Sequence, residues 1–403
     1  MILTAFYVFW LSTLLVFYTY VGYGVVIYIF SKIKRPTLIP NSGSDLPDIT
    51  LLIAAYNEEG FIEEKIRNTL ALDYPTDKLR IMIVTDGSND RTPELVAKHP
   101  SIQLFHEPER RGKIHAVNRV IKLVTSPIVI FCDANTYLNP ESLKLMVRHY
   151  ADPKVGGVAG EKRIFKKEED SASGAGEGIY WKYESFLKRK DSEVYSIVGA
   201  AGELFSLRTA LFEEPPADTI IEDFYISLRI AARGYRFIYE PGAYATESAS
   251  ASVEEEWKRK VRICAGGFQA MARLTPLLNP FRYGMLSFQY VSHRVLRWTL
   301  APLALPLIFI SNVILAIYAG PVYQAILVAQ LGFYVLALLG YVMRDKPITI
   351  KGFFVPYYFA VMNFSVYAGF RRYLKGSQSV VWDKSKRADV PDSKFKEGSK
   401  LKA

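Results

Sequence analysis

Long uncharged apolar runs alternate with polar sequence along this chain. No charged residue occurs from Met1 to Ser31, from Trp298 to Met343, or from Gly352 to Phe370. A helix needs about 20 mainly apolar residues to cross a membrane. The first run is therefore long enough for one span, the second for two, and the third for one more.

The N-terminal run predicts a transmembrane helix over residues 1–35 rather than a cleaved signal peptide. It has no basic start and no clear cleavage site of small residues. Its end, SKIKR at 31–35, carries three cations. Because cations favour the cytoplasmic side of a span, we expect an integral plasma-membrane protein whose following domain is cytoplasmic.

The second run predicts a transmembrane hairpin over residues 298–343. Gly320-Pro321 interrupts the run near its middle, as a turn between two helices would. The segment before the hairpin, residues 275–297, is predicted to be an interfacial helical region.

The third segment, residues 344–372, is open to two interpretations. As a span it would place the basic tail at 373–403 outside the cell, against the charge bias. As a re-entrant or interfacial helix, which Pro356 would favour, it would keep the tail inside. Both interpretations stand on the sequence alone.

The polar segment between the spans, residues 36–274, alternates β-rich apolar runs with helical patterns. Three of the runs end in polar clusters, within 48–60, 79–92 and 126–136. The alternation predicts an α/β domain with a mainly parallel sheet. Ligands bind at the carboxyl ends of the strands in such sheets, so three polar clusters at strand ends predict a functional site.

Composition and net charge limit the classes of partner that we expect for this chain. The hydrophobic fraction of 50% agrees with several membrane helices, and the net charge of +10 suits an anionic membrane surface or a phosphorylated substrate. We expect no nucleic-acid partner, because no module of interleaved aromatic and basic residues accompanies the charge. Cys132 and Cys264 are too isolated to predict a disulfide or a metal site.

Acidic and amide side chains at the strand ends are the first candidates for chemistry. Asp133 and Asn135 follow an apolar run, where their oxygens would either help to bind a hard divalent cation or form a strand-capping turn. Asp86 would either contact a nucleotide or belong to a turn. Lys113 lies at the start of a predicted helix, where a cation opposes the helix dipole. This position indicates either a contact with an anion or a solvated charge.

Two later stretches add candidates. Glu222 and Asp223 lie at the predicted first turn of a helix, where acids offset the helix dipole and where a catalytic group would also be rigidly held. The residues of GAAGEL at 199–204 are small enough to let a ligand approach the backbone at Gly202, or else they form a tight turn. Residues 168–178, EEDSASGAGEG, predict a loop.

An ordered set of motifs connects these candidates. They are YNEE at 56–59, TDGSNDRT at 85–92, GK-x4-N at 112–118, FCDANT at 131–136, IIED at 220–223 and RKVR-x6-Q at 259–269. Together, with spans on both sides, they resemble the membrane-embedded family 2 glycosyltransferases, relatives of cellulose, hyaluronan and poly-N-acetylglucosamine synthases. The resemblance covers roughly residues 48–272.

The resemblance implies a glycosyltransferase A fold, a nucleotide-sugar donor that is usually linked to uridine diphosphate, and Mg²⁺ or Mn²⁺ as cofactor. It implies a donor site built from Ala55, Tyr56, Glu58, Asp86, Lys113 and Asp133. Asp133 matches the first acid of the metal-binding Asp-x-Asp motif, with Asn135 in the second position. Asp223 matches the general base, and contacts to acceptor or diphosphate fall to Gly202, Glu222, Arg259, Arg262 and Gln269.

Three positions depart from the family pattern. Thr85 stands where many relatives carry the first of two aspartates. Asn135 stands where the second acid of the metal motif is usual, so the metal site has one negative charge less. Ile263 stands where polymer-extending synthases carry a tryptophan that supports the acceptor sugar.

The expected function is an inverting transfer to a saccharide or lipid-linked acceptor at the cytoplasmic face. The alternatives are a processive synthase that also secretes its polymer, alone or with an export partner or as a homo-oligomer, and a degenerate subunit that only binds.

Overall fold

The computed structural model describes residues 1–34, 45–165, 172–248, 250–343 and 351–381. Most of the predicted basic tail, from residue 382 onward, therefore lies outside the described residues, as do the cations at 35 and 344–350.

A mixed, mainly parallel sheet organises the polar part of the chain. Its strands are β1 Ile49–Ala55, β2 Leu79–Asp86, β3 Ile102–Glu107, β4 Ile128–Asp133, β5 Tyr137–Leu138, β6 Val155–Ile164, β7 Leu204–Arg208 and β8 Arg236–Glu247. Their spatial order is β3-β2-β1-β4-β7-β6-β8-β5. The pairs β3-β2, β2-β1, β1-β4 and β6-β8 are parallel, whereas β7 runs antiparallel to both of its neighbours.

Helices cover both faces of this sheet. They are α3 Ile62–Leu70, α4 Thr92–Ala97, α5 Lys113–Ile121, α6 Ser142–Val147, α7 Ala172–Val194, α8 Glu222–Ala232 and α9 Val253–Arg273. Separate apolar clusters lie on the two faces, one containing Leu51 and Ile53 and the other containing Leu52. Because β1 is buried on both faces, its sequence is apolar without alternation.

The predicted loop at 168–178 is wrong from Ala172 onward, where α7 begins. This helix contacts α2, α15, β6 and β8. Tertiary packing therefore holds a glycine-containing segment in a helix that its local composition does not favour.

The remaining helices precede β1 or follow α9 along the chain. They are α1 Ile2–Phe17, α2 Tyr23–Ile33, α10 Pro280–Tyr283, α11 Met285–Tyr290, α12 Leu296–Trp298, α13 Leu300–Tyr318, α14 Pro321–Val342 and α15 Lys351–Leu374. A π-helical turn, Tyr18–Gly22, joins α1 and α2 into one element, and a second, Val291–Val295, precedes α12.

Three elements in the described residues have the length and apolar composition of membrane spans: Ile2–Ile33, Leu300–Tyr318 and Pro321–Val342. The chain is therefore a membrane protein. The first span packs along α13, and α13 packs against α14. Helix α15 is not among these candidate spans; it packs against α14 and, more extensively, against α9 of the sheet domain.

Candidate active site

The carboxyl ends of the parallel strands open into a cavity of about 340 Å³. Every site residue predicted from the sequence lines it except Gln269: Ala55, Tyr56, Glu58, Asp86, Lys113, Asp133, Asn135, Gly202, Glu222, Asp223, Arg259 and Arg262. The cavity extends from these strand ends to Trp298 on α12 and Met362 on α15.

Asp86, the last residue of β2, connects the sheet to the start of α5. Its Oδ1 accepts a hydrogen bond from the Arg111 backbone N–H at 2.9 Å, and its Oδ2 accepts one from Gly112 at 2.8 Å. The neighbouring Gly87 has φ +67°, and a Cβ there would lie 2.6 Å from the Arg110 backbone nitrogen. Only glycine therefore permits this close approach of the two loops.

Arg110 and Tyr56 form one wall of the cavity at these strand ends. The Arg110 guanidinium lies 3.6 Å from the centroid of the Tyr56 ring, a cation–π contact. Both residues line the cavity beside Ala55 and Glu58. A cation and an aromatic face at this position suit an anionic ligand with a planar base.

Lys113 lies between two carboxylates at the centre of the cavity. Its Nζ is 2.7 Å from Asp133 Oδ1 and 2.8 Å from Glu222 Oε1. Burial alone would lower the pKa of Lys113, but Asp133 and then Glu222 raise it well above its usual value. Burial raises the pKa of Asp133, although the lysine partly offsets this effect. Lys113 thus carries a fixed positive charge that joins α5, β4 and α8.

Asp223 occupies the first turn of α8. Its Oδ1 accepts the backbone N–H of Phe224 at 2.8 Å, and a Cβ built at Gly202 would lie 3.5 Å from its Oδ2. Burial, followed by the charge of the adjacent Glu222, raises the pKa of Asp223 to about 7. A carboxyl group with this pKa exchanges a proton near neutral pH, which is the property of a general base.

The oxygen atoms of Asp133 and Asn135 fit a hard divalent cation that is shared with a substrate. Within the described ranges, no group of three or more His, Cys, Asp or Glu residues forms a complete metal site. Asp133 and Asn135 nevertheless line the same cavity. Mg²⁺ and Mn²⁺ are commonly held by one or two protein oxygens, with water and phosphate oxygens completing the coordination. The donor set therefore fits a cation that binds together with a diphosphate.

Helix α9 contributes two buried arginines to the cavity. Arg259 forms an ion pair with Glu256 at 2.9 Å on the same helix. Burial, together with repulsion from Arg259, lowers the pKa of Arg262 to about 10, while Glu222, Asp133 and Asp223 act in the opposite direction. Positive charge on α9 thus faces the carboxylates of the cavity.

Gln269 lies further along α9 and is not part of the cavity wall. Its Oε1 accepts the backbone N–H of Ile220 at 3.1 Å, and its Nε2 donates to the Asp218 carbonyl at 2.8 Å. The side chain therefore anchors the segment that leads into α8. Gln269 thus positions Glu222 and Asp223 from outside the cavity wall.

Several cavity residues were not predicted from the sequence. Lys188 on α7 is only 5% exposed and lines the cavity. Among the described residues, its ammonium has neither a hydrogen-bond nor an ion-pair partner. Burial lowers the pKa of Lys188, although Glu184, Glu203 and Asp223 each contribute an opposing attraction. Lys188 is followed by Arg189 and Lys190, and a run of three cations in a helical pattern gave no signal that one of them is buried.

Trp298 also lines the cavity, from the segment just before the membrane hairpin. Its ring lies 5.5 Å from that of Phe224, the residue after Asp223. A Cβ at Gly267 would lie 2.5 Å from the indole, so the glycine permits this packing. The structure therefore places an indole in the cavity although Ile263 replaces the tryptophan of the α9 motif.

The family and the fold can now be compared with known proteins. Residues 50–214 match the model of the family Glycosyl transferase family 2. The chain therefore carries a domain of that family, which confirms the resemblance drawn from the motifs.

The poly-beta-1,6-N-acetyl-D-glucosamine synthase of Staphylococcus aureus strain MSSA476 is 32% identical over 254 residues, which is 60% of this chain and 60% of that protein. The synthase of the same name from Staphylococcus epidermidis is 27% identical over 261 residues, 62% of each chain. The matched region thus spans about 60% of the length of these curated relatives.

A solved structure shows the same fold over most of the chain. It is mannosyltransferase PcManGT from Pyrobaculum calidifontis in complex with GDP-Man and Mn²⁺, with a TM-score of 0.69 and 23% identity. The alignment covers 92% of this chain and 100% of that one. The predicted glycosyltransferase A fold is confirmed by this likeness together with the sheet order.

Proposed function

We propose that this chain is a membrane-integral, inverting glycosyltransferase that moves a sugar from a nucleotide-sugar donor to a saccharide or lipid-linked acceptor. The observation that carries the proposal is the position of the Asp223 carboxyl group, which lies in the first turn of α8, lines the cavity and faces Gly202. It shares one cavity with Asp86, Lys113 and Asp133. This combination provides a base for a hydroxyl group and a place for a diphosphate leaving group.

The donor occupies the strand-end side of the cavity in this proposal. Tyr56 and Arg110 flank the nucleotide, and the loop held by Asp86 contacts its base or ribose. Mg²⁺ or Mn²⁺, bound by Asp133 and Asn135 together with the diphosphate, would neutralise the charge that develops on the leaving group. Uridine diphosphate is the nucleotide that the sequence motifs imply, and the GDP-Man in the Pyrobaculum structure makes guanosine diphosphate the second donor to test.

The transfer itself is a single displacement. The acceptor hydroxyl oxygen bonds to the anomeric carbon as the bond from that carbon to the diphosphate oxygen breaks, with inversion of configuration. Asp223 Oδ2 accepts the proton that the hydroxyl loses. Lys113 holds Glu222 and Asp133 in place around the reacting groups.

The acceptor occupies the side of the cavity that faces the membrane helices. Trp298 offers an aromatic face of the kind that packs against a sugar ring, and it packs beside Phe224 at the start of α8. Lys188 offers three hydrogen-bond donors without a partner among the described residues. These two side chains support an acceptor subsite next to Asp223. The charge bias of residues 31–35 supports a cytoplasmic orientation of the domain at the plasma membrane.

The test is release of nucleoside diphosphate by the purified full-length protein in lipid nanodiscs. It would use Mn²⁺, a panel of UDP- and GDP-sugars, and native membrane lipids as the source of acceptor. We expect release from one donor, and we expect Asp223→Asn to abolish release while donor affinity stays within about twofold. Asp73→Asn is the matched control and should remain active, because Asp73 is exposed and Lys144 is its only ion-pair partner among the described residues.

Donor binding without release by the wild-type protein would contradict the proposal and favour the degenerate binding subunit. Equal loss of donor binding and release in Asp223→Asn would contradict the assignment of the base.

A processive polysaccharide synthase is the second candidate. The indole of Trp298 in the cavity supports it, because an aromatic platform is available despite Ile263. Size analysis of the product distinguishes the two: a ladder of long chains indicates repeated addition, and a single added sugar indicates one transfer per acceptor.

A further inference from the structure

Lys65 is a charged residue on the otherwise mostly apolar inner face of α3. The other residues of this face are Ile62, Ile66 and Thr69, and all four side chains are buried. Ile62 and Ile66 belong to the apolar cluster that contains Leu51 and Ile53 of the sheet. Lys65 itself is 0% exposed. Burial of an ammonium group costs free energy unless hydrogen bonds compensate for the lost water. The partners of Lys65 therefore indicate its role.

The hydrogen bonds of the Lys65 ammonium all go to one short segment, residues 132–136. Its Nζ donates to the Thr136 carbonyl at 2.8 Å, to Cys132 Sγ at 3.0 Å and to Thr136 Oγ1 at 3.3 Å. Cys132 lies in β4, and Thr136 directly precedes β5. An ammonium group has three donors, so these contacts use its full capacity. Lys65 thus connects α3 to both ends of the turn between the two strands.

This turn carries the two side chains whose oxygens fit a divalent cation. Asp133 and Asn135 lie within it, and both line the active-site cavity. Thr136 Oγ1 also donates to the Asp133 carbonyl at 2.9 Å. A chain of two hydrogen bonds therefore runs from the Lys65 ammonium through the Thr136 hydroxyl to the backbone of Asp133.

We propose that Lys65 is a positioning residue for the divalent cation of the transfer reaction. It fixes the turn at 132–136 so that the Asp133 carboxylate and the Asn135 amide oxygen bind one cation together. This inference rests on the proposed function, which assigns Mg²⁺ or Mn²⁺ to these two side chains. A site with only two protein oxygens depends strongly on the groups that hold them in place. Lys65 acts through the backbone of the turn and does not itself bind the cation.

The positive charge of Lys65 and its hydrogen bonds have opposite effects on cation binding. The charge repels a divalent cation, whereas a rigid turn favours coordination. Two substitutions separate these effects. Lys65→Met removes the charge together with the hydrogen bonds. Thr136→Val keeps the charge and removes the hydroxyl group that joins Lys65 to the Asp133 carbonyl.

The test is Mn²⁺ binding to the purified full-length protein in lipid nanodiscs with saturating UDP or GDP, measured by electron paramagnetic resonance of free Mn²⁺. We expect Lys65→Met to raise the Mn²⁺ Kd about ten- to a hundredfold, and Thr136→Val to raise it about threefold or more. Nucleotide affinity without metal should stay within about twofold in both variants, because the change is confined to the cation site.

Thr69→Val is the matched control. Thr69 is buried on the same helix, and its hydroxyl group has no hydrogen-bond partner among the described residues. The control therefore removes a buried polar group of α3 without affecting the turn, and it should bind Mn²⁺ as the wild type does.

Two outcomes would overturn the role of Lys65 alone. Unchanged or tighter Mn²⁺ binding by Lys65→Met would show that its hydrogen bonds do not prepare the cation site. An equal loss of metal-free nucleotide affinity would show that Lys65 supports the whole fold instead. Asp133→Asn tests the proposed function separately. If the wild type binds no Mn²⁺, or if Asp133→Asn binds it equally well, the proposed cation site is wrong, and the role of Lys65 is wrong with it.

Discussion

Asp223 combines a buried position with an acidic neighbour, and the combination sets its pH response. Burial and the charge of Glu222 raise its pKa to about 7. A general base must be deprotonated to accept a proton, so we expect kcat/KM for transfer to rise with pH and to level off above about pH 7. Glu222→Gln removes the neighbouring negative charge. This change should lower the pKa of Asp223 and move the rising part of the pH–rate profile to lower pH.

The measurement is a pH–rate profile of diphosphate release for the wild type and Glu222→Gln at constant Mn²⁺ concentration. A limb that stays at the same pH in Glu222→Gln would show that a different group controls the profile.

Substitution of Lys188 should have opposite effects on thermal stability and on acceptor binding. The Lys188 ammonium has no partner among the described residues, and burial lowers its pKa, so Lys188→Met should raise the Tm of the protein. If the lysine donates to the acceptor, the same change should raise the acceptor KM by about ten- to a hundredfold and leave the donor KM unchanged. Lys188→Arg should recover part of the loss.

Calorimetry and acceptor kinetics on the two variants test this prediction. A lower Tm with an unchanged acceptor KM would mean that Lys188 supports the fold instead.

At the scale of single residues, the sequence predicted cavity-lining positions that belong to ordered motifs. Asp133 lies at a strand end and Asp223 at a helix start, and both patterns are recognisable in the sequence. Trp298 and Lys188 were not found, because they reach the cavity from helices distant in sequence and belong to no motif. Gln269 matched a motif, but only the structure shows that it bonds to the segment before α8.

At the scale of elements, buried charged residues connect α7 to the π-helical turn Val291–Val295 and to α12. Glu184 pairs with Arg294 and, at 3.2 Å, with Arg297, and His293 contacts Asp191 at 2.6 Å. Burial alone would raise the pKa of Glu184, but Arg294 and His293 hold it well below its usual value. This network fixes the helix that carries Lys188 against the entry to the membrane hairpin.

Glu184→Gln should therefore be strongly destabilising. It leaves two arginines without their shared carboxylate, which costs about 3–5 kcal/mol when the charges are buried. Glu193→Gln, on the same helix but 41% exposed, removes only a surface pair and should cost less than about 1 kcal/mol. Thermal unfolding of both variants in the same detergent provides the comparison. Equal Tm values would show that the buried network contributes little.

The sequence predicted some elements better than others. Strands β1, β2 and β4 were predicted because each is a short apolar run that ends in a polar cluster. The start of α7 was not predicted, since glycine and serine favour loops locally and the contacts that stabilise the helix come from α2 and α15. Long-range contacts of this kind leave no periodic signal in the segment itself.

At the scale of the whole molecule, one contact at the start of the hairpin and one after the end of α15 bear on the topology. Helix α13 starts beside Trp298, which packs on Gly267 of the sheet domain. If α13 and α14 both cross the membrane, α14 returns to the side of that domain. After α15, Val380 lies 3.3 Å from a Cβ built at Gly112 and lines the active-site cavity. We therefore infer that both ends of α15 lie on the side of the sheet domain, as the re-entrant or interfacial interpretation requires.

Cysteine accessibility in sealed vesicles tests this topology. The native Cys132 and Cys264 are buried, so an impermeant maleimide should report only on introduced cysteines. Ser377→Cys, after α15, should label from the same side as Lys98→Cys on the sheet domain. Tyr318→Cys, which is exposed at the tip of the hairpin, should label only from the opposite side. If Ser377→Cys instead labels together with Tyr318→Cys, α15 crosses the membrane, and the contact between Val380 and Gly112 cannot form in the bilayer.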